Sequence, residues 1–200
     1  MKKIIATITL FALFIMSVNA QLVIDDFTTG NLERTVLTSG QSEPMYQTGN
    51  QILGKTRHIY SKVNQNPFEQ SFQLNVQNGL LVITAAYDTH GTVYVNYGHD
   101  KKGLAPLNKD LGKYMNLKIE FDAKSTVNGL YVSLFTGTSR AVFSDHVQAR
   151  EGSFVFTIPL SDFKKVGPDY TLSKIDYIRF QFDSRSKTGC NMAINKIWFE

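Results

Sequence analysis

Three observations predict that this sequence folds as an all-β domain, a sandwich or barrel. Short runs of alternating apolar and polar residues recur from end to end, about ten or eleven of them, bounded by Gly, Pro, Asn, Asp or Ser. Helical periodicity is almost absent, and only 160–165 suits a helical turn. The stretch 71–97, SFQLNVQNGLLVITAAYDTHGTVYVNY, alternates so regularly that a pairing register can be written for it.

Residues 22–27 (LVIDDF) read as a first strand, broken by Thr28-Thr29-Gly30-Asn31. A short strand over 35–38 and a loop over 39–44 follow. The run 51–63 (QILGKTRHIYSKV) is long and β-like with Gly54 as a bulge, and 64–67 is a turn. Beyond 97, residues 98–111 carry Lys, Asp, Gly and Pro without a period and read as a loop. The run 115–123 sets Met115, Leu117, Ile119 and Phe121 against Asn116, Lys118, Glu120 and Asp122. In 129–136, Leu130, Val132 and Leu134 oppose Tyr131, Ser133 and Phe135. After another alternating run, 141–148, residues 153–160 place Phe154, Phe156 and Ile158 on one side. Residues 177–183 put Ile178, Phe180 and Phe182 on one side and Tyr177, Arg179 and Gln181 on the other, and 192–199 closes the chain. There is no internal repeat, linker or low-complexity stretch, so 21–200 reads as one domain.

The register of 71–97 starts from Asn78-Gly79, because a type I′ turn needs positive φ at both central residues. A two-residue loop there pairs Val76 with Leu81, Leu74 with Ile83 and Phe72 with Ala85, all apolar and on one face. A second loop, Thr89-His90-Gly91 with Gly91 left-handed, is expected to pair Tyr87 with Val93, Ala85 with Val95 and Ile83 with Tyr97. The opposite face then carries Gln73, Asn75, Thr84, Asp88, Thr92, Tyr94 and Asn96.

Lys2-Lys3, an apolar run over 4–18 and Val18-Asn19-Ala20 form the three parts of an export signal, with cleavage expected after Ala20. The run is short for a membrane span, no later run resembles one, and the residue directly after the cleavage point is Gln21, not a cysteine that could accept a lipid. The chain is therefore expected to be secreted or periplasmic. The 21 Lys and Arg include Lys2 and Lys3, leaving 19 against 17 Asp and Glu, a net of +2. So balanced a charge, scattered along the chain, argues against a nucleic-acid partner. Cys190 is the single cysteine, so no intrachain disulfide forms; it reads as a small buried thiol.

Several short motifs add a family reading. They are Asp25-Asp26-Phe27, Gln47-Thr48-Gly49 leading into Leu53-Gly54-Lys55-Thr56-Arg57, Tyr97-Gly98, Asp110-Leu111 before Tyr114, Asp162-Phe163, and the closing strand 194–199. Together the chain resembles secreted bacterial jelly-roll domains of the galactose-binding-like type. These are related in shape to carbohydrate-binding modules and to the complex I intermediate-associated protein 30 domain. Relatives often have a second glycine where this chain has Lys55. The resemblance implies a jelly roll of two antiparallel sheets and points to ligand binding more than to chemistry.

Three constellations are candidates for function. The first is the polar sheet face: Tyr94, Asn96, Tyr131 and Arg179 are the expected ligand contacts, with Ser133, Tyr177 and Gln181 projecting likewise. Aromatic rings stack on the apolar face of a sugar, and amides and guanidinium groups hydrogen-bond its hydroxyls. The plainer alternative is a solvated or loop-covered face. The second is a structural calcium site from Asp25, Asp26 and Glu200, since hard cations need several oxygens. Calcium between first and last strands is common in galactose-binding-like modules; the alternative is that Asp25 or Asp26 bonds turn backbone.

The third is a lyase-type set for β-elimination, in which Arg57, His58, Tyr94, Asn96, Tyr97 and His99 supply the residue types. Glu120, Asp122, Asp145 and Asp183 show no pairing of the kind a glycosidase needs, and no nucleophile elbow or phosphate loop is present. The leading expectation is a monomeric, non-catalytic domain that binds a polysaccharide or oligosaccharide, with no membrane insertion. A jelly-roll lyase acting on an acidic glycan and a structural or protein-interaction domain are the alternatives.

Overall fold

A computed structural model of the chain describes residues 21–36, 38–42, 44–122, 129–148, 150–184 and 189–200. The export signal expected over 1–20 lies outside the described residues. In chain order the strands are β1 Leu22–Asp25, β2 Leu32–Val36, β3 Gly40–Gln41, β4 Met45–Thr48, β5 Thr56–Gln65, β6 Phe72–Gln77, β7 Leu80–Ala85 and β8 His90–Tyr97. Then come β9 His99–Asp100, β10 Gly103–Leu104, β11 Asn116–Phe121, β12 Gly129–Thr136, β13 Ser139–Asp145, β14 Phe154–Pro159, β15 Lys164–Val166, β16 Tyr177–Ser184 and β17 Cys190–Phe199. The short ones, β3, β4, β9, β10 and β15, are those that alternation could not reveal, because two to four residues do not establish a period. Among the described residues the only helical turns are two 3₁₀ turns, Leu53–Lys55 and Leu160–Asp162, the second inside the predicted 160–165.

All named strand pairs are antiparallel, in two sheets and a small hairpin. The first sheet runs β14-β11-β17-β7-β6-β2, with β1 also on β17; the second runs β15-β13-β12-β16-β8-β5-β3, with β4 also on β5. The chain passes repeatedly from one sheet to the other, β2 to β3, β5 to β6, β7 to β8, β11 to β12, β13 to β14, β14 to β15 and β16 to β17. The result is an all-β jelly-roll sandwich, as the sequence predicted. Between the sheets lies one core: Leu74, Ile83, Ile119, Met192 and Ile197 from the first meet Ile59, Val95, Leu134, Phe180 and Phe182 from the second.

The Asn78-Gly79 turn forms as expected, with φ of 53° and 75°, and Val76↔Leu81, Leu74↔Ile83 and Phe72↔Ala85 pair as written. The second predicted hairpin does not form. β7 pairs with β6 and β17, whereas β8 pairs with β5 and β16, so the 86–89 connection crosses between sheets. Both inner faces are apolar, so alternation alone fits a hairpin and a crossover equally well. Gly91 is not a left-handed loop residue. It sits in β8, where a Cβ would come within 2.5 Å of the Phe72 ring on the opposite sheet. The polar face expected to be continuous is therefore two faces. Gln73, Asn75 and Thr84 lie outside the first sheet, and Thr92, Tyr94 and Asn96 outside the second.

The long run 51–63 divides at Gly54, whose φ is 71°; Lys55 follows at 64°, also left-handed. A side chain there costs about 1 kcal/mol. Met115, placed with the core by alternation, precedes β11 and is exposed.

Candidate functional site

The outer face of the second sheet is the candidate site, and strand pairing sets its layout. One cross-strand row runs Tyr46–His58–Asn96–Arg179–Ser133 through β4, β5, β8, β16 and β12. The next row runs Tyr60–Tyr94–Gln181–Tyr131, and a third Tyr177–Phe135–Arg140. The four residues expected to contact ligand, Tyr94, Asn96, Tyr131 and Arg179, thus share one face, although they come from three strands that are far apart in sequence.

Their environments differ. Asn96 is fully buried beneath its neighbours. Its Oδ1 accepts from the Tyr177 hydroxyl and from Arg179 Nε at 3.1 Å, and its Nδ2 reaches the His58 carbonyl at 3.4 Å. Asn96 therefore positions Arg179 and Tyr177 and is not itself open to a ligand. Tyr94 lies between Tyr60, stacked at 4.6 Å and 15°, and the Arg179 guanidinium, 5.8 Å from its centroid. Arg179 also lies over Tyr177 at 5.6 Å and donates from Nη2 to its hydroxyl at 3.2 Å. Both faces of Tyr94 are thus occupied, and its part is to hold the guanidinium. Tyr131 is exposed at 37%. Gln181 bonds Asp183, which in turn accepts from Thr92.

A second stack, Tyr46–His58–His99, borders the face, with centroid spacings of 4.6 and 4.7 Å. Burial, helped by the neighbouring His99 and Arg179, lowers the His58 imidazole from 6.5 to about 4. The folded protein keeps His58 neutral at pH values where the unfolded chain takes up a proton. The corresponding stability is present above about pH 6.5 and is lost as pH falls towards 4. Urea melts from pH 7 to 4 should lose this increment in the native chain, and His58→Phe should flatten that part of the profile. Identical slopes would remove the assignment.

Segment 98–111 walls one end of the face. Gly98 turns at φ 90°, β9 and β10 pair, and Leu107 and Lys109 bond Asp176 and Ile175. A cavity of about 550 Å³ opens there, lined by Leu104, Pro106, Phe135, Arg140, Tyr177 and Arg179 among others. From Tyr131 to this cavity is four residues along β12, about 14 Å. A larger cavity of about 730 Å³ lies between Tyr114, Leu160, Phe163, Tyr170 and Leu172, but Lys165 is the only charged side chain in its lining.

Two of the expected lyase groups, Arg57 and Tyr97, point inward. Arg57 Nη1 donates to both Asp25 oxygens at 2.7 and 2.6 Å, Nε and Nη2 to Gln47 Oε1, and Nη2 to the Thr29 carbonyl. Tyr97 donates to Asp25 Oδ2 at 2.8 Å. Burial, then the Asp25 charge, raises the Tyr97 hydroxyl well above 10, which unsuits it as a proton carrier.

The same network bears on calcium. The Asp25 carboxylate is wholly engaged by Arg57, Tyr97 and the Phe27 amide, and Asp26 caps Thr28. Glu200 lies beyond Phe199, whereas Asp25 pairs with Ile197, and Glu200 is held by Lys118, Trp198 and Gln21. These three carboxylates do not converge and do not fit a calcium ion. Among the described residues no group of three metal-ligating side chains comes together. Bonds from Asp25 and Asp26 to turn backbone, the alternative reading, are what forms.

Tyr46 and Tyr60 belong to this face in addition to the expected contacts. The signal was available for Tyr60: with Ile59 inward, alternation along β5 places His58 and Tyr60 outward.

No protein-family profile matches the chain, and no curated protein matches it in sequence. Among solved structures, it is similar to a family 11 carbohydrate-binding module from Clostridium thermocellum, solved with a β-1,3-1,4-mixed-linked tetrasaccharide. Identity is 12%, 90% of this chain and 94% of that chain are covered, and the TM-score is 0.43. A mutant of a family 29 carbohydrate-binding module matches at 11% identity, with 90% of each chain and a TM-score of 0.42. An agarase matches 70% of this chain over 22% of its own length, at 12% identity and a TM-score of 0.42.

Proposed function

We propose that the domain binds a glycan along the outer face of the second sheet and carries out no chemistry on it. The observation that supports this most is the continuous run from the open Tyr131 ring, past the oriented Arg179 guanidinium, into the cavity over Tyr177 and Phe135. An aromatic platform, a fixed hydrogen-bond donor and a partly apolar recess are what a sugar ring requires. Affinity electrophoresis in gels containing different polysaccharides tests the reading. Tyr131→Ala should weaken retardation about tenfold, or about 1.4 kcal/mol. Its stability should stay within about 0.5 kcal/mol, because the ring is on the surface. No retardation by any glycan would favour a structural or protein-interaction role.

The presence of His58, Asn96, Tyr177 and Arg179 on one face favours β-elimination as a second reading. Burial raises the Tyr177 hydroxyl, which leaves it a poor base at neutral pH, and His58 is buried between two rings. We therefore rank binding first; sustained absorbance from unsaturated uronates on incubation with acidic glycans would reverse that order. Export with cleavage after Ala20 is part of the proposal, and N-terminal sequencing of the exported protein should begin at Gln21.

A further inference from the structure

We propose that this groove is selective for glycans carrying an anionic oxygen group, a uronate carboxylate or a sulfate ester, and that Arg179 and Arg140 read it. The inference rests on the glycan-binding reading of the same face. Arg179 is half-buried, and among the described residues no carboxylate lies within ion-pair distance of it. Its Nε and Nη2 are fixed by Asn96 and Tyr177, while Nη1 donates to no described group. The side chains that hold it, Asn96, Tyr94 and Tyr177, are all neutral. A guanidinium drawn partly out of water without a counterion is unfavourable, so an arriving anion gains both the charge and the free donor edge.

Arg140 projects into the same cavity from β13 and has no ion or hydrogen-bond partner among the described residues. The third ionic group in the lining, Asp176, turns Oδ2 to the Gly137 amide, so the lining carries two positive charges against one negative. Asp183, one row beyond Gln181, is held by Thr92 and Gln181. Phe135, Tyr177, Leu104 and Pro106 supply the apolar surface that a sugar ring uses and a free inorganic anion does not. Arginine suits this task better than lysine because its planar fork matches a carboxylate or sulfate bidentately.

Affinity electrophoresis of the full chain against polygalacturonate, alginate, ι-carrageenan and a mixed-linkage β-glucan, each at low and high salt, tests the assignment. The expected result is retardation by an acidic polymer, weakened by salt, about tenfold weaker for Arg179→Met and severalfold weaker for Arg140→Met, with the neutral glucan inert. The first two polymers against the third distinguish carboxylate from sulfate. Arg140 is exposed, so its variant remains informative if Arg179→Met does not fold. Retardation by the neutral glucan equal to that by acidic polymers overturns the charge selectivity and leaves glycan binding standing. No retardation by any polymer overturns both. Unchanged acidic binding in Arg140→Met removes that residue from the proposal.

Discussion

Asp25→Ala is expected to lower stability by about 3–5 kcal/mol, the usual effect of removing one partner from a buried ion pair. Asp25 and Arg57 have no side-chain exposure, and Nη1 lies 2.6 Å from the nearer carboxylate oxygen. The pair joins four elements: Asp25 from β1, Gln47 from β4, Arg57 from β5 and Tyr97 from β8. It thereby ties the first sheet to the second. Without Asp25 the guanidinium stays charged in the core, since arginine does not give up its proton there. In a domain of this size the melting temperature should fall by about 10 °C or more. The reverse variant, Arg57→Met, should behave differently with pH. Burial already raises the Asp25 carboxyl, against the pull of Arg57, the Phe27 amide and Tyr97. With Arg57 gone, the native state should hold a proton on Asp25 that the unfolded chain releases, so stability should fall as pH rises from 5 to 8. Asp25→Ala has no such proton and should show no matching slope. Chemical denaturation of both variants at the two pH values checks this. A loss below about 1 kcal/mol in Asp25→Ala would mean that the pair is not the keystone described.

Gly98→Ala is expected to cost about 3 kcal/mol and to damage the groove as well. At φ 90° a side chain is strained, by about 1–2 kcal/mol. The new Cβ would also lie 2.5 Å from the Asp176 carbonyl, 3.1 Å from Leu107 Cγ and 3.2 Å from Tyr177 Cα. Two of these three neighbours are backbone atoms, which cannot swing aside, and overpacking adds about 1–3 kcal/mol. The Asp176 carbonyl accepts from the Leu107 amide, and Tyr177 helps fix Arg179, so relief in either direction moves the cavity wall. Gly152→Ala is the control. Its φ is 75° but a Cβ there meets nothing within 4 Å, so only the conformational penalty of about 1 kcal/mol remains. Urea midpoints of the two variants give the comparison. Equal losses would show that backbone conformation, not close approach, makes Gly98 necessary.

What was legible in the sequence was local. Asn78-Gly79 specified its turn and its register because both are properties of a few consecutive residues. Alternation correctly assigned Leu130, Val132, Leu134, Ile178, Phe180 and Phe182 to the core. Which strands meet was not legible: β7 and β8 look like a hairpin because an inner face is apolar in whichever sheet a strand joins. For the same reason the sequence offers Asp25 as a metal ligand and Arg57 as a chemical group. Their partnership spans 32 positions, and no local pattern distinguishes a buried ion pair from two solvated charges. Residue type and parity place Tyr94, Asn96, Tyr131 and Arg179 on one face, but parity does not tell which lie on top. Asn96 proves to be the support beneath, and the Tyr94 ring is enclosed by Tyr60 and Arg179.

The most direct measurement is an amide chemical-shift titration of the isotopically labelled protein with oligosaccharides from whichever polymer retards it. Perturbations clustered on Tyr94, Tyr131, Ser133, Arg179 and Gln181, extending to Phe135 and Tyr177, are the predicted result. Perturbations confined to Gln73, Thr84 and Asn191 outside the first sheet, or to the Tyr114–Tyr170 cavity, would contradict the placement of the site.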